Sequence, residues 1–127
     1  MKDLNKINEL SYKIRGCIFN VYNTLGPGLM ELVYEKALMC EFNSQGIKAS
    51  EQVGIPVIYK GIDLGIDYRM DIVVEDTVVL ELKSVEHLLP VHFKQLKNYL
   101  HLTQKPLGLL INFNTDNIDK NIHRIII

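Results

Sequence analysis

The 127-residue chain is short of cysteine, of net charge and of long apolar runs, and each shortage removes a class of protein. Its two cysteines, Cys17 and Cys40, have no CxxC spacing. Neither a disulfide framework nor a thiolate metal cluster is suggested, and the default is a pair of free thiols in a reducing compartment. His92 and His101 form no HxH or HxxxH pair with any other histidine, which argues against a histidine metal site. The net charge of −1 gives no global basic field of the kind that coats nucleic acid nonspecifically. It does not exclude an enzyme that reaches phosphate through a bound metal. No apolar run approaches the roughly 20 residues of a membrane-spanning helix. The opening Met-Lys-Asp-Leu-Asn-Lys lacks a signal-peptide core. The expectation is a cytoplasmic protein with no membrane partner. Repeats, low-complexity segments and linkers are also absent. With 47% hydrophobic and 23% charged residues, residues 1–127 read as one globular domain.

What the chain does have is a concentrated stretch from Asp67 to Lys83, two apolar strands around an acidic Glu75-Asp76-Thr77 turn. Strand side chains alternate, so Asp67, Arg69, Asp71 and Val73 are expected on one face and Tyr68, Met70, Ile72 and Val74 on the other. On the next strand Val79, Glu81 and Lys83 share a face. If the strands pair, Asp71, Glu81 and Lys83 converge. Two carboxylates and an ammonium among Val, Ile and Leu are costly to desolvate unless they pair or hold a cation. Hard oxygen ligands suit Mg²⁺ or Mn²⁺. The plainer alternative is a half-exposed hairpin with a Glu–Lys pair on its wet side.

The rest of the chain frames that hairpin. Leu4, Ile7, Ser11, Ile14, Ile18, Val21 and Leu25 mark an amphipathic helix, capped by Asp3 and ended by Gly26-Pro27-Gly28. A second helix from about Glu31 to Asn43 places Glu31, Tyr34, Leu38 and Phe42 on one side. Glu31 either answers the helix dipole or reaches toward the sheet. Residues 47–60 read as a strand broken at Gly54 and Pro56, hence an edge or a bulge. Gly61 to Gly65 reads as a turn. A third helix covers about Val91 to Thr103, with Gln95 and Tyr99 one above the other beside its core stripe. Lys94, Lys97 and His101 on it are either a modest phosphate-contacting patch or a solvated face. Leu107 to Phe113 is a buried central strand, parallel to the Glu81 strand because a helix intervenes. A polar loop and a short strand or tail at His123 to Ile127 follow. Its isoleucines are either a covered sheet edge or a homodimer surface.

This order, with Asp on one meander strand and Glu-x-Lys on the next, resembles the core of the PD-(D/E)xK nucleases and their restriction-endonuclease-like fold. Gly28-Leu-Met-Glu31-Leu-Val-Tyr34 matches the motif that gives the GxxExxY protein family its name. Gln95-Leu-Lys-Asn-Tyr99 looks like the QxxxY element of recombination-type exonucleases in the superfamily. Arg69-Met-Asp71, Glu81-Leu-Lys83 and Gly108-Leu-Leu-Ile-Asn-Phe113 also resemble the GxxExxY family. The resemblance covers roughly residues 7 to 126.

It implies an α/β fold, ααβββαββ, with a mixed sheet flanked by helices. It also implies a metal-dependent nuclease with Mg²⁺ or Mn²⁺ as cofactor and nucleic acid, DNA in the first place, as partner. Asp71 and Glu81 would be the main metal ligands, the Leu82 carbonyl a third, and Glu31 an additional carboxylate. Lys83 would position water or stabilise charge on the phosphate. Gln95, Tyr99 and Arg69 would orient the site or touch nucleic acid, and Tyr34 would support Glu31. The alternative function is a noncatalytic binding module that keeps the nuclease fold.

Overall fold

The computed structural model describes residues 3–127. Asp3 accepts hydrogen bonds from the Asn5 and Lys6 amides at 3.0 and 3.4 Å. This satisfies two of the donors that a helix start leaves open, and α1 runs over Leu4–Leu25. Ile7, Ser11, Ile14, Cys17, Ile18 and Val21 are its buried stripe. Leu4 and Leu25, expected in the same stripe, are exposed at its ends. Gly26, at φ +71°, closes the helix by donating to the Tyr22 carbonyl.

After the glycine–proline turn, α2 covers Glu31–Ser44 and buries Tyr34, Glu35, Leu38 and Phe42. Tyr34 lies flat on Phe113, with ring centroids 4.2 Å apart. Its hydroxyl donates to the Gly26 carbonyl and accepts from the Leu29 amide. Tyr34 therefore pins the α1–α2 turn to the sheet. It does not perform the expected support of Glu31, because its hydroxyl is already engaged by main chain on both sides.

Five strands, β1 (Ala49–Tyr59), β2 (Ile62–Val74), β3 (Val78–Lys83), β4 (Leu107–Asn112) and β5 (Ile122–Ile126), lie in that order in one sheet. β1, β2 and β3 form an antiparallel meander. Helix α3 (Pro90–Thr103) crosses over to β4, which pairs parallel with β3. β5 returns antiparallel along β4 after a 3₁₀ turn at Ile118–Asn121, where a plain polar loop was expected. The result is the mixed α/β sheet of a restriction-endonuclease-like core, with elements in the expected order.

Helices α1 and α2 cover one sheet face with a core that includes Ile14, Ile18, Leu38, Phe42, Ile72, Leu80 and Ile111. Helix α3 covers the other with a smaller cluster around Met70, Val73, Val79, Leu96, Leu100 and Leu110. Among the described residues no helix is long and apolar enough to cross a membrane.

The β1–β2 hairpin outgrows the sheet. Lys60 and Gly61, at φ +49° and +79°, make a two-residue turn of the kind whose backbone twist suits a hairpin. Ile62 to Gly65 consequently continue as strand rather than turn. β2 pairs with β3 only from Ile72 to Val74, so the outer part of the hairpin projects as a two-stranded arm. Pro56 sits on the edge strand β1, beside a register shift before Ile58, where a missing donor is tolerated.

Candidate active site

The two faces of the sheet exchange residues at one point in the hairpin. Ile72 and Val74 pack toward α1 and α2, whereas Met70 and Val73 pack toward α3. Strict alternation had put Met70 with Ile72, so it breaks at Asp71. The partner strand breaks opposite: Ala49 packs with the first core, and Val53 and Ile55 with the second. The pairing passes from Glu51↔Ile72 to Val53↔Met70, and Gln52 between them takes φ +53°, an uncommon conformation for a residue with a side chain. The hairpin rolls over at this matched irregularity, and Asp71 sits on it.

Side chains replace main-chain rungs here. The Asp71 amide donates to Glu81 Oε1 at 3.2 Å, and the Leu82 amide donates to Asp71 Oδ2 at 2.8 Å. Glu81 is buried, and burial, reinforced by the Asp71 charge, pushes its pKa up to about 8. Burial raises Asp71 as well, against the pull of the Leu82 amide and the Lys83 ammonium. Burial thus disfavours the charged form of each carboxyl. That is how paired carboxylates behave without a cation between them. Lys83 is half-buried and attracts both, without ion-pair contact to either among the described residues. The structure thus brings Asp71, Glu81 and Lys83 together.

Glu31 is exposed at the start of α2, lining a surface pocket with Gly28, Met30, Ser84 and Asn114. The helix carboxylate that joins the site is Glu35, four residues and about one turn further on. Glu35 is buried and accepts from Gln52 Nε2 at 2.7 Å, and Gln52 also bonds Asp71. Burial first, then the charges of Asp71 and Glu51, raise the Glu35 pKa. Its Oε2 and that of Glu51 are buried with no donor. The two carboxyls are neighbours, and each acts on the other's pKa. Lys36 holds the far oxygen of Glu51 at 2.9 Å and lowers its pKa.

On the α3 side, Gln95 Nε2 donates to the Tyr99 hydroxyl at 2.7 Å. Burial and then the Glu81 charge raise the Tyr99 pKa, which places its ring beside that carboxylate. Helix α3 reaches the sheet because β4 offers Gly108: a Cβ there would stand 3.0 Å from the Leu96 side chain. Asn112, buried at the end of β4, clamps the β3–α3 connection with both ends of its amide. It donates to the Val85 carbonyl at 2.9 Å and accepts from the Val85 amide at 3.1 Å. Arg69 is exposed, on the strand face away from Tyr68 and Met70.

Glu35, Gln52 and Asn112 escaped the sequence reading. The signals were a second glutamate one turn after Glu31 and one amide in the otherwise apolar run Leu107–Phe113. Gln52 carried none.

Among the described residues no three or more His, Cys, Asp or Glu side chains close on one point as a metal cage. Asp71, Glu81 and the Leu82 carbonyl form an open set of hard oxygens instead. That fits Mg²⁺, which takes one or two carboxylates and fills its remaining positions with water and phosphate. Residues 8–125, nearly the whole chain, match the model of a family described as the PD-(D/E)XK nuclease superfamily. No curated protein and no solved structure shows significant similarity to the chain.

Proposed function

The chain belongs to the PD-(D/E)XK nuclease superfamily, and on that premise we propose that it hydrolyses phosphodiester bonds of nucleic acid, DNA in the first place, by direct attack of water. The Gly28–Tyr34 motif further suggests the GxxExxY proteins as its place within the superfamily. The observation that carries the reading is the interlock of Asp71 and Glu81 across the end of the β2–β3 ladder, where the Asp71 amide donates to Glu81 Oε1 and the Leu82 amide to Asp71 Oδ2, with the Lys83 charge acting on both carboxyls.

Asp71, Glu81 and the Leu82 carbonyl would hold a divalent ion, Mg²⁺ or Mn²⁺. When bound, it supplies Lewis acidity toward a phosphate oxygen and acidifies water. The chain's own residues do the rest. The charged forms of Asp71 and Glu81, which burial alone disfavours, would be favoured beside a bound cation. Lys83, free of an ion pair, meets the negative charge that builds on the phosphate in the transition state. Glu35 and Gln52 fix the Asp71 carboxylate from the α2 side. Gln95 orients the Tyr99 hydroxyl, whose own proton is available to a phosphate oxygen.

The test is cleavage of labelled single- and double-stranded DNA and RNA with Mg²⁺ or Mn²⁺, beside Asp71→Ala. Cleavage by the parent chain and none by the folded variant is expected. A folded parent that cuts nothing would move the reading to a noncatalytic module that keeps the fold.

A further inference from the structure

Beside the carboxylates, between α3 and the hairpin arm, lies a recess of about 630 Å³, within the size range of ligand sites. Tyr68 on β2 forms one wall and is about half exposed. Its ring is tilted 45° to that of Tyr99, with centroids 5.7 Å apart. Lys94, Asn98 and His101 on α3 form the other wall, with exposed Val91 and Leu102. No carboxylate lines it.

We propose that this recess binds an unpaired nucleobase of single-stranded nucleic acid, stacked on Tyr68, with the adjoining phosphates on Lys94 and His101. The proposal rests on the nuclease reading only for the direction in which the strand then runs, past Tyr99 toward Glu81. Three features favour a single strand over a duplex. An aromatic face within a recess admits a free base and excludes one held in a stack. The amide of Asn98 can meet the hydrogen-bonding edge that pairing would conceal. A duplex binder neutralises many phosphates, whereas this recess offers one ammonium, Lys94, and the His101 imidazole in a chain of net charge −1. Stacking platforms flanked by a few positive groups are the usual means of holding single strands.

The test is binding of fluorescent single-stranded DNA and RNA oligonucleotides, and of a duplex, to the parent chain without divalent metal, so that no cleavage intervenes. Parallel samples carry Tyr68→Ala, Tyr68→Phe and Lys94→Ala. Single strands are expected to bind tighter than duplex. Tyr68→Ala should weaken them roughly 5- to 150-fold, the loss of one base–aromatic stack, while Tyr68→Phe retains binding. An abasic oligonucleotide should be indifferent to Tyr68→Ala. The DNA and RNA arms identify which strand the recess prefers. Equal binding by parent and Tyr68→Ala, or preference for duplex, overturns the proposal. So does protein self-association that Tyr68→Ala abolishes while oligonucleotide binding stays intact. Base-dependent binding by a chain that never cleaves would sink the nuclease reading and leave the recess standing. Single-strand cleavage with a KM unmoved by Tyr68→Ala would do the reverse.

Discussion

The two faces of the sheet divide the labour unequally. Beneath α1 and α2 lies a broad apolar core built on Tyr34, Leu38, Phe42 and the α1 stripe. Beneath α3 the apolar cluster is small, and the Glu81 carboxyl lies beside its Tyr99. One face carries the stability that lets the other bury carboxylates at a cost. A change in the apolar core of the first face should therefore be felt as unfolding, and a change among the site residues, Glu35 on α2 included, as lost chemistry in a protein that still folds.

The sharpest way to break that division is Phe42→Ala. Phe42 is fully buried under α2, and its truncation should cost about 3–5 kcal/mol of stability, read by denaturant unfolding. The surviving folded fraction should cleave normally; a fall in activity per folded molecule would show that the faces are coupled. Lys83→Met comes next. It keeps the length of the side chain and removes the charge, so kcat should drop about 10²–10³-fold with an unchanged melting curve.

A smaller effect separates the two glutamates of α2. Glu35→Gln should lower activity or metal affinity about 10–100-fold, as for a group that orients a ligand, while Glu31→Gln leaves both unchanged. The opposite ranking would return Glu31 to the site.

The smallest effect is on metal-free stability and follows from the Glu81 proton. A carboxyl with a raised pKa takes up a proton on folding, so its neutral form is accommodated at low pH and becomes a liability as pH rises. The liability grows from the ordinary glutamate value of 4.5 and is complete above about 8. Glu81→Gln should raise the Tm by a few degrees at pH 8, with the gap closing toward pH 5. A gap independent of pH would mean that Glu81 is ionised throughout.

Much of the α/β order was legible because its helices and central strands obey simple periods. Asp71, Glu81 and Lys83 were found by alternation, and Gln95 with Tyr99 by helical spacing. The misreadings share one physical origin, the places where local geometry breaks a period. Met70 went to the wrong face because Asp71 hands its amide to a side chain and Gln52 opposite takes a left-handed backbone. Ile62 to Gly65 looked like a turn because Gly61 and Gly65 frame them, yet Lys60 and Gly61 complete the reversal alone. Glu35 was passed over although it lies one turn beyond Glu31 on a similar face. Their depth differs only once Tyr34 has fixed how far α2 advances over the sheet.

The Asp71 and Leu82 amides are held by carboxylates and not by carbonyls. A carbonyl keeps its basicity at any pH, but a carboxylate surrenders part of its electron density whenever it accepts a proton or engages a cation. Those two amide hydrogens should consequently exchange with solvent deuterium at a rate that follows the state of the two carboxylates. The backbone itself carries a built-in isotope reporter, legible with no substrate present.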